Sequence, residues 1–173
     1  MRTISKEELA KIVEKHGKFL RGEDGGERAD LRRADLRGVR LGLALLSNAD
    51  LYRADLSGAD LSGADLSDAN LAGADLSEAT LAGAIMDGVD LSWADLYGTD
   101  MRKAGLAGAR MVEADLRWAK LYGADLSGAN LTGADLTGAD PGGAVLRETD
   151  LSGARMGGAK LEGAYSERGG KAK

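Results

Sequence analysis

Carboxylates recur at five-residue intervals through most of this 173-residue chain, as in Asp55, Asp60 and Asp65, and again in Asp90, Asp95 and Asp100. Carboxylates act as acids, bases or metal ligands when a pocket shifts their pKa and keeps water out. The other partners of such chemistry are missing from the sequence. It has no cysteine and a single histidine, His16, with no phosphate-binding G-x-x-x-x-G-K-S/T loop and no H-E-x-x-H zinc motif. Calcium-binding G-G-x-G-x-D repeats are absent, and threonine is too scattered for the regular columns of an ice-binding face. We therefore assign no catalytic, cofactor-binding or metal-binding residue and expect a protein that is not an enzyme. What so regular an array of carboxylates can build is an electrostatic surface. The aromatic residues, only 4% of the chain, include the closely spaced Trp93, Tyr97, Trp118 and Tyr122, of the types that binding interfaces favour.

The spacing of these residues is that of a repeat. Counted from Ala29 to Gly163 the chain is 27 uninterrupted pentads, such as Ala59-Asp60-Leu61-Ser62-Gly63. The third position is Leu at 22 places, Met at four (Met86, Met101, Met111, Met156) and Pro at one, Pro141. The first is Ala at 23 places, with Val39, Val89, Thr99 and Thr149 as departures. A five-residue step on an α-helix rotates about 140°, which would smear the leucines around the cylinder. On a flat strand five is odd, so successive leucines would alternate faces. Ala and Leu two apart share one side of a short extended piece, and the chain must turn before the next unit to return both to that side. Glycine, frequent in the fifth position, supplies the φ freedom for that turn. An extended piece and a corner, repeated, make a solenoid.

The unit A-(D/N)-L-x-x, as in Ala69-Asn70-Leu71-Ala72-Gly73, resembles the pentapeptide-repeat family over about three quarters of the chain. The resemblance implies an all-β solenoid: a right-handed quadrilateral parallel β-helix of four pentads per coil, with Leu on the axis and Ala beside it. Residues i and i+20 would then stack, and 27 pentads would make about seven coils. At about 4.8 Å per coil the rod would be about 32 Å long.

Three segments follow: 1–28, a capping helix and hinge; 29–163, the β-helix; and 164–173, a C-terminal tail. In the first, Ser5 and Glu8 form a capping box, and Ile4 and Leu9 match a hydrophobic staple. Leu9, Ile12, Val13, His16 and Leu20 share a face over residues 5–20, with Lys11, Glu14, Lys15 and Lys18 opposite. Such a helix suits the open end of a solenoid; a membrane or partner helix is the alternative, and its mixed polar charges argue against a membrane. His16 is expected to pack rather than to catalyse. No apolar run reaches the ~20 residues of a membrane span, and residues 1–10 lack a signal-peptide core, so the expected location is cytoplasmic.

Charge is uneven along the rod. Residues 54–101 hold ten acids and no base, whereas arginines crowd the first two coils and return from Arg102. In the register that the resemblance implies, Asp35, Asp55, Asp75, Asp95, Asp115 and Asp135 form one column. It is either the repeat's own consensus, bonded to local backbone, or a partner-binding acidic face imitating DNA. Trp93, Tyr97, Trp118 and Tyr122 form an outward ridge, and Arg32 with Tyr52, Arg117 with Tyr97 and Arg102 with Tyr122 pair as cation–π stacks. Pro141 should bulge or loosen its coil. Met156, Leu161 and Tyr165 mark an end suited to homodimer formation. The expected function is a non-catalytic scaffold for a protein partner, with no nucleic acid or membrane bound directly. The alternative, implied by the resemblance, is a DNA mimic that binds and modulates or protects a type II topoisomerase such as gyrase.

Overall fold

The protein is described from a computed structural model, which covers residues 1–167 and 170–171. Along 29–163 every pentad repeats one conformation. The third-position carbonyl accepts the N–H of the next pentad's first residue, as in Ala59 N to Leu56 O at 2.9 Å, closing a four-residue turn. The residue at the third place of that turn is always the fifth of the pentad, and all 27 have φ between +54° and +75°. A positive φ there defines a type II turn and favours glycine. Eleven of the 27 are nevertheless not glycine, among them Leu43, Trp93 and Trp118.

The corners bring each pentad back over the one 20 residues earlier, in parallel register, from Asp30↔Asp50 to Val145↔Tyr165. Backbone bonding is close to complete. In the pentad beginning at Ala54, the Asp55 N–H donates to Ala34 O at 2.9 Å, Leu56 to Asp75 O at 2.7 Å and Gly58 to Ser77 O at 2.8 Å, while the Ala54 N–H closes the preceding turn. The fourth-position N–H alone has no backbone partner. The second-position side chain accepts it, as Asp55 Oδ1 does from Ser57 N at 3.1 Å. Buried or half-buried donors are normally paired, and an Asp or Asn two residues earlier supplies the acceptor wherever one is present; pentads with Arg40, Leu45, Ile85 or Lys120 there keep the same turn without it. Asn70 serves Ala72 in the same way at 3.1 Å.

The first and third positions fill the interior. The leucines from Leu46 to Leu131, and Met86, Met101 and Met111, are fully buried, flanked by first-position alanines. Each leucine so placed contributes about 1.5–3 kcal/mol relative to exposure. The departures from alanine are accommodated: Thr99 and Thr149 donate their hydroxyls to Leu76 O and Leu126 O, both at 2.8 Å. Pro141 lacks the donor that a leucine would direct at the next coil, and the Asp140–Lys160 bridge is missing from the ladder. The expected bulge does not form. Ala144 N still reaches Pro141 O at 3.0 Å and Gly143 N reaches Glu162 O at 2.9 Å, so the turn holds and the proline stays buried.

At the N-terminal side, β1 (Arg2–Thr3) pairs in parallel with β2 (Ala34–Asp35), an edge contact that the repeat pattern does not announce. Helix α1 (Lys6–Leu20) follows, with Ser5 accepting the Glu8 N–H. The Glu8 side chain turns to Arg2 at 2.6 Å instead of completing the capping box. Leu9 joins the core, and Ile4, Ile12 and Val13 pack against it. His16 is fully buried between helix and rod: Nδ1 accepts the Ala29 N–H at 3.1 Å, and Nε2 lies 3.0 Å from Ser47 O. These partners select the neutral tautomer with its proton on Nε2. Gly26 passes so close to α1 that a Cβ would lie 2.4 Å from Phe19 N. No described helix is long and apolar enough to cross a membrane.

The far end is more ordered than the tail expected over 164–173. Tyr165 continues the ladder, its N–H reaching Ala144 O at 2.9 Å, and β3 (Tyr165–Glu167) pairs antiparallel with β4 (Gly170–Lys171). The remainder of that segment, residues 168–169 and 172–173, lies outside the described residues.

Candidate protein-binding surface

Twenty-residue stacking sorts the outer residues into four faces, named here by their first second-position residue: face 1 from Asp30, face 2 from Asp35, face 3 from Arg40 and face 4 from Leu45. Over 29–163, face 2 carries seven acids against three arginines, and face 4 carries five acids against one. Face 1 has five acids and four bases. Face 3 has four acids and five bases, leaving it the one face with a net positive charge. Summed over the whole rod the acidic excess lies mainly on two opposite faces, 2 and 4, while the ten acids of residues 54–101 stand on all four.

Asp35, Asp55, Asp75, Asp95, Asp115 and Asp135 do stack on face 2, through successive bridges that continue to Arg155. They are not free anions. Each gives one oxygen to the fourth-position N–H of its own pentad, as Asp75 does to Ser77 at 2.9 Å and Asp95 to Tyr97 at 2.9 Å. Arg37 grips Asp35 at 2.8 and 2.6 Å and lies 3.7 Å from Asp55. Arg117 holds Asp115 at 2.6 Å, and Arg155 approaches Asp135 to 3.4 Å. The bond from Arg37 holds the Asp35 carboxyl below its ordinary range, and the bond from Arg117 does the same for Asp115. On face 1, Arg32 brings Asp30 down to about 2. The side chains of Asp35, Asp55, Asp115 and Asp135 are only 14–29% exposed, so the column is a recessed strip clamped at both ends.

The aromatic residues stand out by contrast. Trp93 is 62% exposed at φ 57°, and Trp118 is 60% exposed at φ 61°. A bulky residue in the left-handed region costs about 1–2 kcal/mol, and neither side chain recovers this by burial. Trp93 donates its indole N–H to the Glu113 carboxylate at 3.2 Å. The Arg117 guanidinium sits 5.6 Å from the centre of the Tyr97 ring, as the register predicts. The other two stacks do not form. Arg53, the chain neighbour, covers Tyr52 at 5.2 Å while Arg32 is held by Asp30, and Arg102 turns to Asp100 at 2.6 Å and leaves Tyr122. Arg32 and Arg102 each take a charged, bidentate partner two residues back, and Arg117 bonds Asp115 in the same way while it also covers Tyr97.

The four aromatics do not form one ridge. Tyr97 lies under Arg117 on face 2. Trp118, at the corner between faces 2 and 3, lies over Gly138, and Tyr122 lies over Gly142 on face 3. These two border a groove of about 490 Å³ that includes Lys120 and Lys160. The sequence singled out both aromatics. The lysines and the glycine floor were missed, and the signal for them was their common place in the 20-residue register. A second groove, of about 890 Å³, runs between α1 and face 3 along Leu9, Val13, Val39 and Leu41, where the helix leaves part of the first coil uncovered. At the opposite end Met156 and Leu161 are half-buried and Tyr165 is exposed. Among the described residues no group of His, Cys, Asp and Glu is arranged to hold a metal ion.

No curated protein matches the sequence. Among solved structures, HetL from Nostoc sp. strain PCC 7120, a pentapeptide-repeat protein involved in heterocyst differentiation regulation, is 36% identical, with 82% of this chain and 76% of that one covered and a TM-score of 0.44. A second pentapeptide-repeat protein from Nostoc PCC 7120, alr5209, is 34% identical over 74% of this chain and 80% of its own, at a TM-score of 0.42. QnrB1, a plasmid-mediated fluoroquinolone resistance protein, is 26% identical in a trypsin-treated form, with 80% and 70% covered and a TM-score of 0.42. The sequence profile for pentapeptide repeats matches eight copies, over residues 29–68, 64–102, 100–138 and 124–163, and the chain belongs to the pentapeptide-repeat family.

Proposed function

We propose that this chain is a rigid, non-catalytic rod, a right-handed β-helix of about seven coils closed at its N-terminal end by α1, that docks a protein partner through its outer columns. One observation carries the reading: Trp93 and Trp118 are about 60% exposed at backbone positions that glycine fills elsewhere in the repeat. Neither the turn nor the core benefits from an indole there, and tryptophan is the residue most enriched at binding hot spots. The test exploits the same strain. Trp93→Gly and Trp118→Gly place glycine where the backbone favours it, so the rod should keep its fold and denaturation midpoint. A partner cross-linked to the wild-type chain in its native cell, identified and purified, should then bind the double variant at least tenfold more weakly. Equal binding would count against the reading.

DNA mimicry of a type II topoisomerase is the second reading, favoured by the acids on faces 2 and 4. Magnitudes place it behind the first. Duplex DNA carries a charge per about 1.7 Å, or about 19 charges over a 32 Å rod, whereas residues 29–163 hold 21 acids against 13 bases. Addition of the protein to a gyrase supercoiling assay tests it: inhibition that weakens with Asp75→Asn and Asp95→Asn would support mimicry, and no inhibition would remove it. End-to-end pairing through Met156, Leu161 and Tyr165 would double the rod's length, and a mass measurement giving only monomer would dispose of that.

A further inference from the structure

The geometry points to a binding site for a short, extended, acidic peptide segment of a partner protein along the groove on face 3, with Lys120 and Lys160 as its charge contacts and Trp118 and Tyr122 as its apolar walls. This rests on the reading of the rod as a protein-docking surface and names the partner's chemistry.

The floor of the groove is backbone. Gly138, Gly157 and Gly158 line it, and the rings of Trp118 and Tyr122 lie beside it. A segment laid there can approach the rod closely and place an apolar side chain between an indole and a phenol, both more than half exposed. Lys120 and Lys160 belong to one column, two rungs and thus about 9.6 Å apart. Among the described residues neither ammonium is within ion-pair distance of a carboxylate, and the intervening Asp140 accepts the Gly142 N–H at 3.2 Å. At about 3.3 Å per residue, the lysine spacing equals about three residues of an extended strand.

The charge pattern selects a short acidic segment over a nucleic acid. Face 3 carries five bases against four acids, while face 2 carries seven acids against three bases and face 4 five against one. A continuous polyanion would overlap those repelling strips, whereas four or five residues stay within the favourable one.

The probe is a fluorescein-labelled peptide, Gly-Asp-Glu-Leu-Asp-Glu-Gly, compared by anisotropy with its Asn/Gln counterpart and with a labelled 12-nucleotide oligothymidine, on the full chain. The acidic peptide should bind, lose affinity as salt rises, and bind at least tenfold more weakly to Lys120→Glu/Lys160→Glu. Lys120→Gln/Lys160→Gln, which removes charge without adding acids, should show an intermediate loss. Equal binding of the amide counterpart, tighter binding of the oligothymidine, or no effect of charge reversal would overturn the assignment. A cross-linked partner that is lost by Trp93→Gly/Trp118→Gly yet kept by the lysine reversals leaves the docking reading standing and removes this one. Insensitivity to both sets of variants removes both.

Discussion

Two glycines in identical backbone settings should respond differently to the same methyl group. Gly128 has φ +67° with no atom within 4 Å of an added Cβ; Gly138 has φ +71°, and its Cβ would lie 2.8–3.0 Å from the Cε3, Cδ2 and Cζ3 atoms of Trp118. Alanine in the left-handed region costs about 1–2 kcal/mol, offset by about 0.4–1 kcal/mol from the stiffer unfolded chain. Gly128→Ala should therefore destabilise by about 0.5–1.5 kcal/mol. Gly138→Ala carries the same cost and must also push the Trp118 ring off its seat, which a strained rotamer or lost contact sets at about 0.5–1.5 kcal/mol more. In a double-mutant cycle with Trp118→Gly, that extra cost should vanish, leaving a coupling near 1 kcal/mol. Urea denaturation followed by circular dichroism reads all four corners. Equal losses for the two alanines, with coupling below about 0.3 kcal/mol, would refute the packing of Trp118 on Gly138 and with it the wall of the proposed groove.

Acid should loosen the N-terminal contact before it affects the rod. His16 is held neutral chiefly by burial, its pKa lowered from 6.5, so the unfolded chain takes the proton first. Stability then falls as pH drops below about 6.5, by at most about 1.4 kcal/mol per unit, and His16→Gln should flatten the denaturation midpoint between pH 7.5 and 5. Leu96→Ala empties a fully buried place on the axis and should cost about 2–5 kcal/mol in the same urea assay; a loss below 1 kcal/mol would contradict a close-packed interior. Among the described residues the Ser92 hydroxyl is buried without a partner, so Ser92→Ala should be neutral or stabilising, whereas Thr99→Val breaks the bond to Leu76 O and should cost about 1 kcal/mol. Denaturation midpoints that rank the two the other way would reject this account of the two hydroxyls.

Much of the candidate surface was visible in the pentads because the register assigns every outward residue to a column. Trp118 and Tyr122, the stacked aspartates and the Arg117–Tyr97 pair follow from counting in fives, which the pentads supply, and in twenties, which the resemblance to the pentapeptide-repeat family implies. What counting could not reveal is which neighbour a long side chain chooses. Arg32, Arg37 and Arg102 can each reach along the pentad or across rungs, and they bond the carboxylate two residues back because the turn brings that group within 2.6–2.8 Å. The function of the second-position acid was likewise open on sequence grounds. It accepts the single N–H that the ladder leaves over, which only the complete bonding pattern exposes.

An unbroken succession of small and large apolar residues at steps of two and three determines, without reference to any coordinates, a solenoid with a dry axis, since no helix or flat sheet can hide both columns at once. Tertiary structure decided the rest. The closing of the coil after 20 residues divides the charges into two acidic faces, one near-neutral face and one slightly basic one, and brings Lys120, Lys160 and a strip of glycines beside Trp118. Those residues lie up to 42 positions apart, and their proximity follows from the corner angle of each turn, a backbone property that many outward side chains share and that none of them records.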